Sequence, residues 1–526
     1  MSHILINKLN FHYDSPYQEI FSDLSLTISE SWKTGLIGRN GRGKTTLFNL
    51  LAGSLLPTSG IVSVPMEVKC FPFSPNDESA LTHSVIKESV APFSLWEEKM
   101  NALIENEDEE SLSTYSNYMD LFMHYEGYTI DSIIEKESAK IGLNEEILHR
   151  PFNTLSGGER TRALILSLFL RRDCFPLLDE PTDHLDLKGR EMLTEFLSES
   201  KKGFIVASHD RYLLDNCTDH MLSINKSGVS VIQGNYSTWK YQTDIKEEFE
   251  ERRYENLQRQ IKSLEKAAQQ RRTWSDTKEK EKTSAPDSGY ISHKAAKLMK
   301  RATSIERRIE ENINHKKELL KNKELKPSLI MKPSEKSPER LISINGLKVS
   351  IDDKQIISNL YMQVSRGDRI AITGKNGCGK TTLLNAISGT VPISGGDMFV
   401  ARNIKISRAY QLPLWSSGYL KDHIKQDGID MTSFRFIMSA FGMYGEIFDH
   451  PLETFSKGQL RKIDLCRTIV SQPQLLIWDE PLNYLDIDSR EQLEDFISKE
   501  ALTIVFVEHD RTFIENTATG IIRLDE

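Results

Sequence analysis

Gly38-Arg-Asn-Gly-Arg-Gly-Lys-Thr45 decides the fold of this chain, because Gly374-Lys-Asn-Gly-Cys-Gly-Lys-Thr381 repeats its pattern. Both have the form GxxxxGK(S/T), a glycine-rich loop that ends a strand and opens a helix. The glycines let backbone N–H groups wrap phosphate oxygens at the helix N-terminus. Lys44 and Lys380 would reach the β- and γ-phosphates, and Thr45 and Thr381 would ligate Mg2+. The expected nucleotide-binding residues are Gly38, Asn40, Gly41, Gly43, Lys44, Thr45 and Thr46 in one copy, and Gly374, Asn376, Gly377, Gly379, Lys380, Thr381 and Thr382 in the other.

Working outward, three more pairs recur in the same order. Leu155-Ser-Gly-Gly-Glu159 matches Phe455-Ser-Lys-Gly-Gln459, Leu178-Asp-Glu-Pro181 matches Trp478-Asp-Glu-Pro481, and Ser208-His-Asp210 matches Glu508-His-Asp510. The glycine loops lie 336 residues apart (38 to 374), the later pairs 300 apart (156 to 456, 179 to 479, 209 to 509), so the first copy holds 36 extra residues between its loop and its signature. That excess, within 74–150, takes in the acidic stretch Glu105–Glu110 and reads as a polar surface excursion. An apolar strand ends in each carboxylate pair: Asp179 or Asp479 would hold the metal through water, and Glu180 or Glu480 would polarise the attacking water. His209 and His509 follow apolar runs, which places them at the C-terminal ends of parallel strands, where such sites lie. A lone histidine there is more often structural, but its spacing from the Asp-Glu pair is the same in both copies, which favours a catalytic role. Pro176, inside the first of these strands, is expected to force a bulge.

The chain has 526 residues, 27% of them charged, and a net charge of −9. Spread evenly, that charge would argue against nucleic acid. It is not even: residues 240–336 carry 25 Lys or Arg against 17 Asp or Glu, or +8, leaving −17 elsewhere. Apolar residues in that stretch fall at Leu257, Ile261, Leu264 and Ala268, then at Leu298, Ala302, Ile305 and Ile309. Both sets have coiled-coil spacing, so two antiparallel helices are expected, turning within Ser275–Ile291 around Pro286. Arg271, Arg272, Lys294, Lys297, Lys300 and Arg301 crowd the tip, about 271–300, and are the expected RNA contacts. Trp274 could stack on a base or pack against the facing helix. The bland alternative for the whole segment is a solvated spacer. Five scattered cysteines support neither a disulfide framework nor a metal cluster. No run is long and apolar enough to span a membrane, and the N-terminus lacks a secretion signal. The expected organisation is an α/β fold with two P-loop ATPase domains, 1–238 and 339–526, joined by an antiparallel α-helical hairpin, 239–338.

With the LSGGE and FSKGQ segments added to these motifs, the chain resembles the ABC ATPases. The resemblance implies ATP and Mg2+ as cofactors and signatures that act across an interface. Ser156, Gly157 and Gly158, with Glu159, would complete the site built on Lys380; Ser456 and Gly458, with Gln459, would complete the site on Lys44. ATP would then hold the halves together, and hydrolysis would release them. It also implies an aromatic on the adenine, which Tyr13 supplies, and a Gln near the metal, which Gln411 supplies beside Thr45, Asp179, Thr381 and Asp479. The counterpart of Tyr13, in Lys-Val-Ser-Ile351, is aliphatic, that of Gln411 falls in Phe71-Pro-Phe73, and Lys457 replaces a signature glycine. Both sites are expected to hydrolyse ATP, at unequal rates.

Two such domains around a charged hairpin look like the ABC-F proteins. The resemblance narrows at Phe175-Pro-Leu-Leu-Asp-Glu-Pro-Thr182, Ile477-Trp-Asp-Glu-Pro-Leu-Asn-Tyr-Leu485, Val507-Glu-His-Asp510 and Gly289-Tyr-Ile-Ser-His-Lys-Ala-Ala-Lys-Leu-Met-Lys-Arg301. These are similar to the Lsa-type resistance proteins. That resemblance implies a cytoplasmic, ribosome-associated monomer whose ATPase domains pair within one chain, with no membrane partner. It would bind the exit site of the bacterial 70S ribosome, touch rRNA and the peptidyl-site tRNA, and protect against lincosamides, streptogramin A compounds and pleuromutilins at the peptidyl-transferase centre. The 36-residue excess departs from the Lsa pattern and sits where other ABC-F proteins insert a ribosome-contacting arm. A housekeeping translation factor for stalled or initiating ribosomes is the alternative, and the ATPase subunit of a membrane transporter a further one.

Overall fold

Alternating strands and helices build two related α/β halves. The computed structural model describes residues 3–14, 17–104, 108–225, 228–282, 338–351, 354–500 and 502–524. The chain divides into two compact units, Met1–Ser237 with Pro327–Glu526, and Thr238–Lys326. In the first half the strands are β1 (His3–Asp14), β2 (Tyr17–Ser29), β3 (Lys33–Gly38), β4 (Ser59–Ser63), β5 (Glu67–Phe71), β6 (Cys174–Asp179), β7 (Phe204–Ala207), β8 (His220–Asn225) and β9 (Gly228–Gln233). In the second they are β10 (Arg340–Ile351), β11 (Lys354–Ser365), β12 (Arg369–Thr373), β13 (Gly395–Val400), β14 (Ile406–Ala409), β15 (Leu475–Asp479), β16 (Ile504–Val507) and β17 (Gly520–Arg523).

Each half has an antiparallel sheet, β2-β1-β4 or β11-β10-β13, and a mainly parallel one, β5-β6-β7-β3-β8-β9 or β14-β15-β16-β12-β17. The central parallel strands are buried on both faces, which explains runs such as Phe204–Ala207 and Ile504–Val507. The glycine-loop strands β3 and β12 lie beside the histidine-bearing β7 and β16, which in turn lie beside the Asp-Glu strands β6 and β15. Loop, carboxylates and histidine therefore emerge together at the carboxyl ends of three adjacent strands, where open α/β sheets place ligands.

Three expectations need correction. Pro176 causes no bulge: β6 pairs with β5 in unbroken register from Glu67↔Cys174 to Phe71↔Leu178, and its pairing with β7 begins only at Leu177. The proline's missing N–H thus falls before that second ladder starts. The extra segment of the first half is not a plain polar excursion. It contributes the helices Phe93–Ile104 and Glu109–His124, which bury Phe93, Trp96, Met100 and Phe122; the Phe93 ring meets Trp96 and Phe122 edge-on at 5.6 and 5.8 Å. Apolar residues one helical turn apart build this small core, and the acidic residues face water. Finally, the first linker helix does not end at Trp274. One helix runs from Tyr236 to Lys282, through the first part of the expected turn, because Ser275–Lys282 holds no Pro or Gly and is rich in Lys and Glu. The rest of the expected hairpin, including Lys294, Lys297, Lys300 and Arg301, lies outside the described residues, as do the side chains of Arg271, Arg272 and Trp274.

Candidate active sites

Each glycine loop leads into an eight-residue helix, Lys44–Leu51 or Lys380–Ile387, whose N-cap glycine is left-handed: φ is 96° at Gly43 and 102° at Gly379. Neither helix has a side-chain cap, so its first N–H groups remain available to an anion. A Cβ on Gly43 would lie 2.4 Å from Ile20, and one on Gly379 would lie 2.5 Å from Ile356, so both the torsion and the packing demand glycine. Lys44 Nζ donates to the Gly38 carbonyl at 2.8 Å, and Lys380 Nζ to the carbonyls of Gly374 and Lys375, each at 2.8 Å. Both lysines are buried. Burial lowers the Lys44 pKa against the opposing pull of Glu180, Asp486 and Asp179. Tyr13 is half-exposed beside the first loop, and its hydroxyl lies 3.1 Å from that of Thr46.

Thr45 donates to Asp179 at 2.7 Å, the pairing a loop hydroxyl and a strand-end carboxylate need to share a Mg2+. In the other half both oxygens of Asp479 are buried and short of full hydrogen-bond geometry, with Thr381 the nearest donor to pull against burial, which raises the pKa of each aspartate. A buried carboxylate in that state suits a cation. Among the described residues no cluster of three or more His, Cys, Asp or Glu could hold a metal alone. Mg2+ here would rely on one threonine, one aspartate, water and nucleotide phosphates, its usual arrangement.

Glu180 and Glu480 both sit in left-handed backbone, at φ 46° and 49°, which turns their carboxylates out of the strand line. Glu180 accepts the backbone N–H of His209 at 3.1 Å, and burial pushes its carboxyl up to about 8. Glu480 instead accepts from Gln411 at 3.2 Å and from the Asn483 side chain at 2.7 Å. Gln411 thus stands against the expected water-polarising carboxylate. His209 Nε2 lies 3.1 Å from Lys44 Nζ and 3.2 Å from Asn40 Oδ1. Burial, then Lys44, holds His209 well below its usual pKa; burial, then Lys380 and Arg190, holds His509 down to about 3. Both imidazoles are neutral at pH 7.

The signature serines are N-caps. Ser156 and Glu159 form a capping box on Gly157–Leu170, and Ser456 and Gln459 form one on Lys457–Val470. Glu159 and Gln459 are thereby engaged in holding the helix start. The halves meet reciprocally. Asn40 donates to the Tyr484 carbonyl at 2.8 Å, and Asn376 to the His184 carbonyl at 3.0 Å. A Cβ on Gly458 would come within 3.1 Å of the Asn40 amide of the other half, and one on Gly157 within 3.4 Å of His184 of its own half, whose carbonyl Asn376 binds. Each glycine loop therefore meets the turn after the other half's Asp-Glu pair, and the first loop also meets the opposite signature at Gly458. Lys457 lies over the Tyr484 ring at 5.2 Å. Arg490 donates both to the His209 carbonyl at 3.1 Å and to Asp510 at 3.0 Å, tying the first half's histidine to the second half.

Motif reading missed several residues at this interface. His184 and Tyr484, with φ of 65° and 64°, supply the carbonyls that the loop asparagines bind. Their signal was available, since they fall at matching places three residues after each Asp-Glu-Pro. Arg211 and Glu494, a buried pair across the halves, carry no comparable signal. All five cysteines are free, and among the described residues no helix is long and apolar enough to cross a membrane.

Comparison with known proteins agrees with this geometry. A family model described as ABC transporter matches residues 21–183 and again 357–483. The Bacillus subtilis (strain 168) ribosome protection protein VmlR is 25% identical over 527 residues, covering 98% of this chain and 86% of the relative. YfmM of the same organism, described as an uncharacterized ABC transporter ATP-binding protein, is 26% identical over 516 residues, covering 95% and 94%. The archaeal ribosome recycling factor aABCE1, solved with the ribosomal stalk protein aP1, superposes with a TM-score of 0.60 at 17% identity, covering 98% of this chain and 87% of that one.

Proposed function

This chain belongs to the ABC transporter family of ATP-binding domains, which it matches twice, and from that premise we propose that it is an F-type member acting on the bacterial ribosome. Its two domains hydrolyse ATP to ADP and phosphate with Mg2+. ATP would be bound by the glycine loops from Gly38 and Gly374. Thr45 with Asp179, and Thr381 with Asp479, would hold Mg2+, which neutralises charge on the β- and γ-phosphates. Glu180 and Glu480 orient and polarise water, while His209 and His509, kept neutral by burial, hold their side chains toward the γ-phosphate position.

The observation that carries the reading is the pairing of two ATPase halves within one chain around a helix of 47 residues, Tyr236–Lys282, at the start of a segment of net positive charge. Such a segment suits polyanionic RNA. The likeness to a ribosome protection protein along nearly the whole chain points to the same target. The reading is that ATP binding closes the halves, the interdomain segment reaches toward the peptidyl-transferase centre from the exit site, and hydrolysis releases the protein. Protection against lincosamides, streptogramin A compounds and pleuromutilins is the proposed outcome.

The test replaces Glu180 and Glu480 by Gln, which leaves ATP binding intact and blocks release, and sediments the protein with bacterial 70S ribosomes. ATP-dependent cosedimentation is expected; its absence rejects ribosome binding. Expression of the wild type in a susceptible bacterium should raise tolerance to the three drug classes. Unchanged tolerance with ribosome binding intact would point to a housekeeping translation factor instead.

A further inference from the structure

The two active sites differ in how the turn carrying the catalytic glutamate is held. In the second half the Arg461 guanidinium, buried at 1% exposure, donates to four backbone carbonyls: Asp479 at 2.5 Å, Glu480 at 2.6 Å, Pro481 at 3.3 Å, and Tyr410 just before Gln411. From the other side Glu508, also buried, accepts the N–H of Leu482 at 2.8 Å and that of His509 at 2.9 Å. A donor and an acceptor thus clamp the Asp479–Leu482 turn and tie it to the Gln411 loop and to His509. Burial pushes the Glu508 carboxyl up to about 7, against the two N–H donors and Arg490. A charge placed so deep is costly unless its partners are fixed, so the clamp holds both ways.

Among the described residues the first half has no such clamp. At the matching positions stand Thr161 and Ser208, too short to reach the turn in this way. Ser208 accepts the N–H of Asp210 at 3.1 Å and lies 3.4 Å from the Thr182 hydroxyl. The N–H of His209 is then met by the catalytic carboxylate itself, Glu180 Oε2. In the second half Glu508 takes over that N–H, and one oxygen of Glu480 receives the side-chain amides of Gln411 and Asn483. The other oxygen faces the histidine in both halves, Glu480 Oε1 at 3.8 Å from His509 Nε2 and Glu180 Oε1 at 3.4 Å from His209 Nε2.

We propose that Arg461 and Glu508 are positioning residues for Glu480, fixing the turn that carries its carboxylate and so making the site on Lys380 the faster of the two. Both residues contact the turn and would act through it. Catalytic geometry held by a packed surrounding shell raises the chemical rate without strengthening ground-state binding.

The experiment is single-turnover ATP hydrolysis by rapid acid quench on the full chain, paired with mant-ATP affinity, so that chemistry is read apart from release and from binding. First, Glu180→Gln, which leaves the Lys380 site, should hydrolyse at least fivefold faster than Glu480→Gln, which leaves the Lys44 site. The reverse order, or rates within fivefold, overturns the proposal. Then, in the Glu180→Gln background, Glu508→Ser and Arg461→Met should each slow the chemical step at least fivefold with mant-ATP affinity within twofold. Glu508→Gln, which keeps the size and one acceptor oxygen and so guards against misfolding, should fall between Glu508→Ser and the parent. A loss of rate that tracks a loss of affinity would assign a structural role only, and a rate within fivefold of the parent for both Glu508→Ser and Arg461→Met would leave no positioning role; either result overturns the proposal.

Discussion

Asn40 reaches across 444 positions of sequence to donate its side-chain amide to the carbonyl of Tyr484 at 2.8 Å, and Asn376 does the same to His184 at 3.0 Å. Each asparagine belongs to a glycine loop, and each carbonyl to the turn after the opposite half's Asp-Glu pair. The two hydrogen bonds link each glycine loop to the opposite half's Asp-Glu turn. Neutral hydrogen bonds of this kind contribute about 1 kcal/mol each. Asn40→Ala and Asn376→Ala should each lower kcat/KM for ATP by about fivefold, and the double variant by the product of the two. Steady-state phosphate release measures this. Unchanged kcat/KM in the double variant would mean that these hydrogen bonds play no part in closure.

The interface also contains a buried ion pair. Arg211 of the first half binds Glu494 of the second through both terminal nitrogens, one bond measuring 3.0 Å, and Asn516 adds a third bond to that carboxylate at 3.2 Å. Removing one partner leaves a buried charge with only Asp510 at 3.9 Å or the Asn516 amide beside it, and breaking a buried pair in this way costs about 3–5 kcal/mol. Arg211→Met or Glu494→Leu alone should lower stability by that order, and the two together should recover most of it. Denaturant unfolding of the four proteins gives the coupling directly. Additive losses would show that the pair is not coupled.

Stability should fall in acid through the site histidines. Burial, with Lys380 and Arg190 nearby, holds His509 down to about 3. The unfolded chain therefore binds a proton that the folded one refuses, so this histidine's contribution is complete above about pH 6.5 and lost as pH falls toward 3. Between pH 7.5 and 5.0 the loss from one such residue is about 2 kcal/mol. His509→Gln should shrink the difference in urea stability between those pH values by that amount, and an equal difference in both proteins would refute the assignment.

The basic interdomain segment should act through charge. Reversing Arg271, Arg272, Lys300 and Arg301 to Glu should weaken binding to 70S ribosomes and flatten its dependence on salt, while ATPase activity without ribosomes stays within twofold of the wild type. Each RNA phosphate that the variant no longer neutralises lowers the salt slope by about one. Ribosome affinity equal to the wild type would remove this segment from the interface.

Local patterns are legible because local geometry produces them. A strand, a glycine loop and a helix in Gly38–Leu51 follow from residues within one turn of each other, and the recurrence from Gly374 onward declares a second copy. The Asp-Glu pairs and histidines are readable because parallel strands deliver their C-terminal ends to one edge. The helix through Ser275–Lys282 departs from the expected turn because small polar residues do not by themselves break a helix, and no Pro or Gly interrupts them before Pro286. The packed helices Phe93–Ile104 and Glu109–His124 are hidden for a different reason: the acidic run Glu105–Glu110 between them draws the eye to a polar surface, while Phe93, Trp96 and Phe122 make the core.

The motifs alone disclose the doubling of one ATPase fold, the residues expected to cradle phosphate and metal, and the opposite charge of the segment between the copies. Only the tertiary structure decided that Asn40 meets Tyr484, that Glu180 is engaged by the His209 N–H while Glu480 is released from that task, and that Arg461 and Glu508 close on one turn from opposite sides. The physical reason is distance along the chain. Motif spacing sets a backbone's local path, whereas a buried charge is explained by whichever N–H and C=O groups surround it, and Arg461, Glu480 and Glu508 come together only after helix and strands have packed.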